Sequence, residues 1–193
     1  QKTAYEIPKR DWSSDVCSSD LVSCRLRRGL FQAAILADNG NPMRYWLMKS
    51  EPQECSIDDL ARAPKKSTAW FGVRNYQARN FMRDDMRLGD KILFYHSSCE
   101  VPGIAGIAEV SRLAYPDETQ FDRKSKYYDA KATRDNPRWV HVDVRLVKKT
   151  RLVPLSELRG HRALATMQLL KRGNRLSITP VTAAEWKFIE GLF

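Results

Sequence analysis

Apolar and polar residues alternate along several short segments of the chain, and a period of two residues is typical of β-strands. The clearest case is RWVHVDVRLVKKTR, in which Val140, Val142 and Val144 share one face and His141 lies on the other. A second run begins at Tyr45 and is ended by Pro52. In addition to these two runs, at 138–151 and from Tyr45, the alternation predicts strands at 91–97, 103–113 and 176–180.

Other segments carry apolar residues three and four positions apart, which predicts helices. Two of them begin at capping boxes, in which Ser56 is followed by Asp59 and Thr182 by Glu185. Segment 75–90 has one apolar face and a glycine stop at Gly89. The predicted helices are 56–63, 75–90, a turn that starts at Pro154, 162–174 and 182–193.

The order of these elements bounds the fold. Strands and helices mix without the regular strand–helix–strand repeat of a parallel sheet, so an α+β domain with a mostly antiparallel sheet that curls or closes is expected. Segment 114–137 is polar, dotted with aromatic residues and without a clear period. Loops of this length in compact domains are usually functional or disordered.

Residues 1–42 do not share the pattern of the rest. Back-translation of residues 1–6 and 11–20 resembles short-read sequencing adapters in their usual order, so residues 1–21 are interpreted as a translated artefact. The protein-like pattern starts at Met43. We therefore expect a non-native or disordered extension over 1–42 and one domain over 43–193, a length that suits a single core.

The amino-acid composition limits the class of binding partner and the cellular compartment that are expected. The chain has 33 Lys and Arg against 23 Asp and Glu, a net charge of +10, and nearly all of the excess lies after Met43. A basic surface favours a polyanionic partner, nucleic acid first. Cys55 and Cys99 lack metal-ligand spacing and are expected to be free thiols, which favours a cytoplasmic protein. No apolar run approaches the roughly 20 residues of a membrane span.

Enzyme motifs are missing from the sequence. It contains no nucleophile elbow, Walker loop or dinucleotide-binding fingerprint, and its histidines have no partner at metal-ligand spacing. Lys49 and Ser50 could act as base and nucleophile, but no third residue that would orient them is evident. The sequence therefore favours a protein without catalytic residues, metal or cofactor.

Binding chemistry is better represented. Aromatic residues interleave with Lys and Arg between Tyr45 and Trp139, as in proteins that stack bases and hold phosphates. Trp70 lies in a stretch without a clean period, which favours a pocket wall over a core position. Arg79, Arg83 and Arg87 are spaced to form one helical stripe that could bind phosphate, although Asp84 and Asp85 could neutralise it internally.

Long motifs in order resemble the EVE domain family: YWLMKSEP, AWFGVRNYQARNFMRDDMRLGDKILFYHSS, VPGIAGIAEV, NPRWVHVDV and RLSITPVTAAEW. The resemblance covers essentially all of 43–193. It implies a PUA-like fold, a curled or barrel-like sheet with helices on its rim. It also implies a similarity to YTH domains, which bind methylated adenine in RNA, although Glu51 and Pro52 replace the asparagine-rich stretch of that family. EVE domains are linked to modified cytosine, so a modified pyrimidine is the favoured ligand.

The resulting hypothesis is a monomeric module that binds nucleic acid, DNA or RNA, and takes a flipped-out, modified base into an aromatic pocket. The alternatives are an enzyme that acts on a modified base or nucleotide, and a basic-surface protein-interaction module. The predicted pocket residues are Lys49, Ser50, Glu51, Trp70, Val73, Arg74, Asn75, Asn80, Tyr95 and Trp139. The predicted phosphate contacts are Arg79, Arg83, Arg87, Lys124 and Lys126.

Overall fold

A computed structural model describes residues 43–193, so the interpretation of residues 1–42 lies outside the described residues. Within that range the chain forms six strands and four α-helices joined by short 3₁₀ and π-helical turns. The strands are β1 Tyr45–Ser50, β2 Ser67–Ala69, β3 Lys91–His96, β4 Gly103–Pro116, β5 Val140–Pro154 and β6 Ile178–Val181. The helices are α1 Ile57–Arg62, α2 Tyr76–Asn80, α3 Leu155–Gly160 and α4 Ala183–Glu190.

All six strands belong to one open sheet in the order β2-β5-β4-β3-β1-β6. Only β1 and β3 pair in parallel, whereas the other four pairs are antiparallel. The long strands β4 and β5 pair through several register shifts, and such bulges bend strands and increase their twist. The α+β prediction with a mostly antiparallel sheet is confirmed, and the sheet remains open because β2 and β6 lie at opposite edges.

Both faces of the sheet are covered. The sequence of β3 is almost entirely apolar because its residues point into a core on each face. Ile92 and Phe94 point into one core with Trp46 and Trp70, while Leu93 and Tyr95 point into a second core. Helices α1 and α2 cover the first face, and α3 and α4 cover the second. His141, predicted on the face of β5 opposite Val142, is nevertheless buried, and its ring meets the Tyr115 ring edge-on.

The helices follow their caps where the sequence provides them. Both predicted capping boxes are present, at Ser56 and at Thr182. The helix predicted over 75–90 is shorter: α2 passes into a π-helical turn, Phe81–Asp85, and Met86 is already extended. The helix predicted over 162–174 does not form. Two single 3₁₀ turns replace it, Arg162–Leu164 and Gln168–Leu170, and the backbone of Met167 between them is not helical.

The connection between α1 and β2 is a tight turn over residues 64–67. The Ser67 amide donates to the Pro64 carbonyl, and Lys65 and Lys66 between them have positive φ angles of 55° and 52°. These angles resemble a type I′ turn, which normally carries Asn-Gly. A non-glycine residue in the left-handed region costs about 1–2 kcal/mol, so two consecutive lysines make this turn unfavourable locally.

Candidate functional site

A cleft of about 550 Å³ opens beside the carboxyl ends of the parallel strands β1 and β3. Its walls come from β1 and the following turn, the end of β2 and the segment after it, and the residues that follow β3. The long loop before β5 and the segment before β6 complete them. The lining residues are Lys49, Ser50, Glu51, Glu54, Cys55, Ala69, Trp70, Phe71, Gly72, Val73, Arg74, Ser97, Ser98, Lys126, Tyr127, Arg175 and Ser177. Cavities of this size suit small ligands such as a nucleobase.

Trp70 forms part of the cleft wall and also belongs to the first core. Its ring meets the Phe94 ring edge-on at 5.3 Å between centroids, and 7% of its surface is exposed. Its backbone amide donates to the Val142 carbonyl, which continues the β2–β5 pairing by one residue. The tryptophan is therefore held by the core while it lines the cleft.

The end of β1 supplies the polar side of the cleft. The Ser50 hydroxyl donates to the Cys55 carbonyl at 2.7 Å, which leaves its oxygen lone pairs as acceptors. Partial burial lowers the pKa of the Lys49 ammonium, and within residues 43–193 this group forms no ion pair. Glu51 is exposed at the rim. The site thus presents cationic and anionic groups whose charges are not used by the fold.

A buried ion pair joins the two halves of the cleft. Arg74 donates to the fully buried Asp117 carboxylate at 2.8 Å and to the Tyr127 carbonyl through two nitrogens at 2.6 and 2.8 Å. Burial raises the pKa of Asp117, but hydrogen bonds from Thr119, Arg74 and the Gly72 amide outweigh it, so the pKa lies below the ordinary value. The long loop is thereby held against the Trp70 segment.

Tyr127 and Glu54 close the outer side of the cleft. The Tyr127 hydroxyl donates to a Glu54 carboxylate oxygen at 2.7 Å, and Lys126 forms an ion pair with the other oxygen. The sequence prediction missed Tyr127, Phe71, Gly72 and Glu54 as lining residues. Phe71 and Tyr127 could have been found only as members of the aromatic series, because nothing in the sequence places the two close together.

Gly72 is a specific requirement of this arrangement. Its φ is +81°, and a Cβ atom there would lie 2.6 Å from the Tyr127 ring. Gly72→Ala is expected to lower the free energy of unfolding by more than 2 kcal/mol, since a left-handed alanine costs about 1–2 kcal/mol before any clash. Chemical denaturation measures the change.

Gly89→Ala is the matched control for this substitution. Gly89 has a φ of +85° but no atom within 4 Å of the added Cβ, so only the conformational cost of about 1–2 kcal/mol applies. Equal losses in the two variants would contradict the close packing of Tyr127 on Gly72.

Four predicted pocket residues do not line the cleft. Asn75 caps α2 by accepting from two backbone amides, and Asn80 accepts from the Arg79 guanidinium. The Trp139 indole donates to Asp129 at 2.7 Å. Tyr95 points into the second core, because successive residues of β3 face opposite sides of the sheet. The residues brought together are Lys49, Ser50, Glu51, Trp70, Val73 and Arg74.

The predicted phosphate contacts are mostly engaged within the protein. Arg79 donates to Asn80 and to the Arg138 carbonyl, and Arg83 forms two hydrogen bonds with Asp84. Arg87 lies beyond the π-helical turn and donates to backbone carbonyls, so the three arginines do not form the regular stripe expected of a straight helix. Lys126 lines the cleft and Lys124 is exposed in the same loop.

Two further structural tests concern metals and membranes. Among residues 43–193, no group of three or more His, Cys, Asp or Glu side chains is arranged to hold a metal ion. In the same part of the chain, no helix has the length and apolar character needed to cross a membrane.

Several known proteins are similar to this chain over the described domain. Human thymocyte nuclear protein 1 is 45% identical over 170 residues, which cover 79% of this chain and 75% of the human protein. A crystal structure from Pseudomonas putida is 52% identical with a TM-score of 0.73, and covers 77% of this chain and 98% of its own. The crystal structure of human THYN1 in complex with 5-methylcytosine-containing DNA is 44% identical with a TM-score of 0.73, and covers 77% of this chain and 96% of its own.

The name of the human relative corrects one expectation. The prediction of a cytoplasmic protein is wrong, because the relative is named as a nuclear protein. The argument from free cysteines failed for a physical reason: thiols stay reduced in the nucleus as well as in the cytosol, so cysteine usage does not separate the two compartments.

The family assignment follows from the domain as a whole. The family model described as the EVE domain matches residues 44–192, which is nearly all of the part that the structure describes. The resemblance carried by the sequence motifs is therefore confirmed at the level of the family. This chain belongs to the EVE domain family.

Proposed function

We propose that this protein binds DNA that carries a modified cytosine, with 5-methylcytosine as the favoured base, and that it does so without catalysis, metal, cofactor or membrane and as a single copy of the chain. One observation carries the proposal. An aromatic cleft with uncommitted charged groups lies in a domain that is 44% identical to human THYN1, which was crystallised with DNA containing 5-methylcytosine.

The base would stack in the cleft after leaving the helix, because its faces and its Watson–Crick edge are inaccessible inside a duplex. The Trp70 ring provides one apolar wall, and the exposed ring of Phe71 lies at the rim. Stacking on an aromatic side chain is worth about 1–3 kcal/mol and tolerates every base. Stacking alone therefore explains affinity for a flipped base and not the choice of cytosine.

The polar groups of the cleft would select cytosine over other bases. Cytosine differs from thymine by an amino group at position 4 that donates hydrogen bonds, and carboxylates are the usual acceptors for it. Glu51 lies at the rim of the cleft, and its carboxylate accepts no hydrogen bond from residues 43–193, in contrast to its backbone carbonyl. We assign Glu51 as the acceptor for the cytosine amino group, with Lys49 and Ser50 beside the other polar positions.

Binding to three single strands, identical except at one position, tests this assignment. Stacked 5-methylcytosine should bind about fourfold tighter than cytosine, because burying one methyl group is worth about 0.8 kcal/mol. Thymine keeps the methyl group and loses the amino group, so it should bind about 5- to 150-fold more weakly than 5-methylcytosine. Single strands remove the cost of breaking a base pair from the comparison.

Glu51→Gln tests the role of the carboxylate directly. The glutamine amide can donate a hydrogen bond to the thymine oxygen and can also accept one from the cytosine amino group. This variant should lose most of the preference for 5-methylcytosine over thymine and keep the fourfold methyl effect. Equal preference in wild type and Glu51→Gln would refute the role of Glu51. The same strands made as RNA determine whether the sugar is recognised.

The alternatives remain distinguishable in the same assay. Release of a changed base or nucleoside during incubation would favour an enzyme. Affinity that follows polymer charge and ignores the base would favour a basic-surface interaction module.

A further inference from the structure

The tight turn over residues 64–67, which we call the lysine turn, has residues at its centre that are unfavourable for its backbone conformation. Lys65 and Lys66 occupy the two central positions, both with positive φ, where glycine and asparagine are preferred. Residues held in sparsely populated backbone conformations concentrate at functional sites, where the surrounding structure enforces them. Here β2 enforces the turn, because the Ser67 hydroxyl contacts Ser111 and donates to the Val144 carbonyl.

The two lysines also differ from three other cations on adjoining elements. Those three are neutralised by ion pairs: Arg62 with Asp59, Lys149 with Asp58, and Arg145 with Glu109. Lys65 and Lys66 are exposed and form no ion pair with any of residues 43–193. The turn thus presents two adjacent positive charges that the fold does not use.

Position relates the turn to the cleft. The strand β2 runs from Ser67 to Ala69, and Ala69 and Trp70 line the cleft. Ala69 lies three positions after Lys66 along the chain, a distance of roughly 10 Å at about 3.3 Å per residue. In duplex DNA, about three nucleotides of one strand advance this distance along the helix axis, at 3.4 Å per nucleotide. A DNA backbone that delivers a base to the cleft can therefore reach the lysine turn.

We propose that Lys65 and Lys66 bind phosphates of the DNA backbone about three nucleotides from the base held in the cleft. This inference rests on the proposed function and adds a contact surface to it. Contacts at this turn would set the direction of the DNA strand as it leaves the cleft. Phosphate contacts of this kind set register and orientation and contribute affinity without sequence information.

The test replaces the turn with its preferred residues, as Lys65→Asn/Lys66→Gly in the full chain, and uses a duplex with one central 5-methylcytosine. The variant should melt a few degrees higher than wild type, because Asn-Gly suits the backbone angles. Its affinity should fall about tenfold or more at 0.1 M salt. The slope of log affinity against log salt should flatten by nearly two, since each lost phosphate contact contributes about 0.9.

Two further variants make the result specific. Lys65→Arg/Lys66→Arg keeps the charges and should keep the wild-type affinity and salt slope. Arg159→Gln/Arg162→Gln removes two exposed charges beside the second core, on the face of the sheet opposite Trp70, and should leave the affinity within about threefold.

The outcomes separate this inference from the function on which it rests. If wild type does not bind the duplex at all, the proposed function fails and the inference fails with it. If wild type binds and Lys65→Asn/Lys66→Gly keeps the wild-type affinity and slope, only the inference fails. An equal loss in the Arg159→Gln/Arg162→Gln variant would also overturn it, because binding would then follow overall charge.

Discussion

Trp70→Ala is expected to lower the free energy of unfolding by about 3–5 kcal/mol and to weaken binding of every base by about tenfold or more. The first effect follows from removing a large buried side chain that packs on Phe94. The second follows from losing one stacking surface, worth about 1–3 kcal/mol per base. Denaturant titration measures the first change, and oligonucleotide binding at a temperature where the variant stays folded measures the second.

Trp46→Ala is the matched control for the double role of Trp70. Trp46 belongs to the same core and is similarly buried, but it does not line the cleft. Its loss should destabilise the domain by a similar amount, about 3–5 kcal/mol, and leave the affinity of the folded protein unchanged. If Trp70→Ala binds every strand as tightly as Trp46→Ala does, Trp70 is a core residue only and the base is held elsewhere.

Arg74→Met is expected to destabilise the domain by about 3–5 kcal/mol, because it leaves the Asp117 carboxylate buried without its counter-charge. It also frees the Tyr127 carbonyl, so the long loop should detach from the cleft more readily. Denaturant titration measures the stability, and hydrogen exchange at the amides of the loop before β5 measures the detachment.

Two variants decide whether burial causes this effect. Arg134→Met breaks an ion pair with Glu118 in which both side chains are exposed, and such pairs contribute about 0–1 kcal/mol. The double variant Arg74→Met/Asp117→Asn removes the unpaired charge and should recover part of the loss. A loss in Arg74→Met no larger than in Arg134→Met would show that the buried ion pair does not hold the loop.

The sequence predicted the elements that depend on local chemistry. The strands β1, β3 and β5 were found from alternation, and the starts of α1 and α4 from their capping boxes, because both signals lie within a few residues. The helix predicted over 162–174 was wrong. The apolar residues of this segment have a spacing that suits a helix, but two separate 3₁₀ turns carry them into the second core. A local pattern cannot show which tertiary surface will receive each side chain.

The residues of the candidate site also fall into those that the sequence predicted and those that only the structure revealed. Lys49, Ser50 and Glu51 are consecutive, and Trp70, Val73 and Arg74 lie within one short segment, so motifs could bring these residues into the prediction. Their role at the cleft stays a prediction. Tyr127 and Glu54 were missed because they are 73 residues apart and meet only when Arg74 holds the loop in place.

By itself, the sequence determined the family, the α+β class, the caps, the basic character of the chain and the aromatic residue at position 70. Only the tertiary structure decided which charges are free. Arg79, Arg83 and Arg87 resemble a phosphate-binding stripe in sequence, yet they donate to nearby carbonyl, amide and carboxylate oxygens in the folded chain. Lys65 and Lys66 carry no motif, yet they are exposed in a tight turn. The reason is that the availability of a charge depends on the partners near it in the folded chain. Arg83 and Arg87 are engaged by residues one to three positions away, whereas the Arg138 carbonyl that accepts from Arg79 is 59 residues away and only folding brings it near.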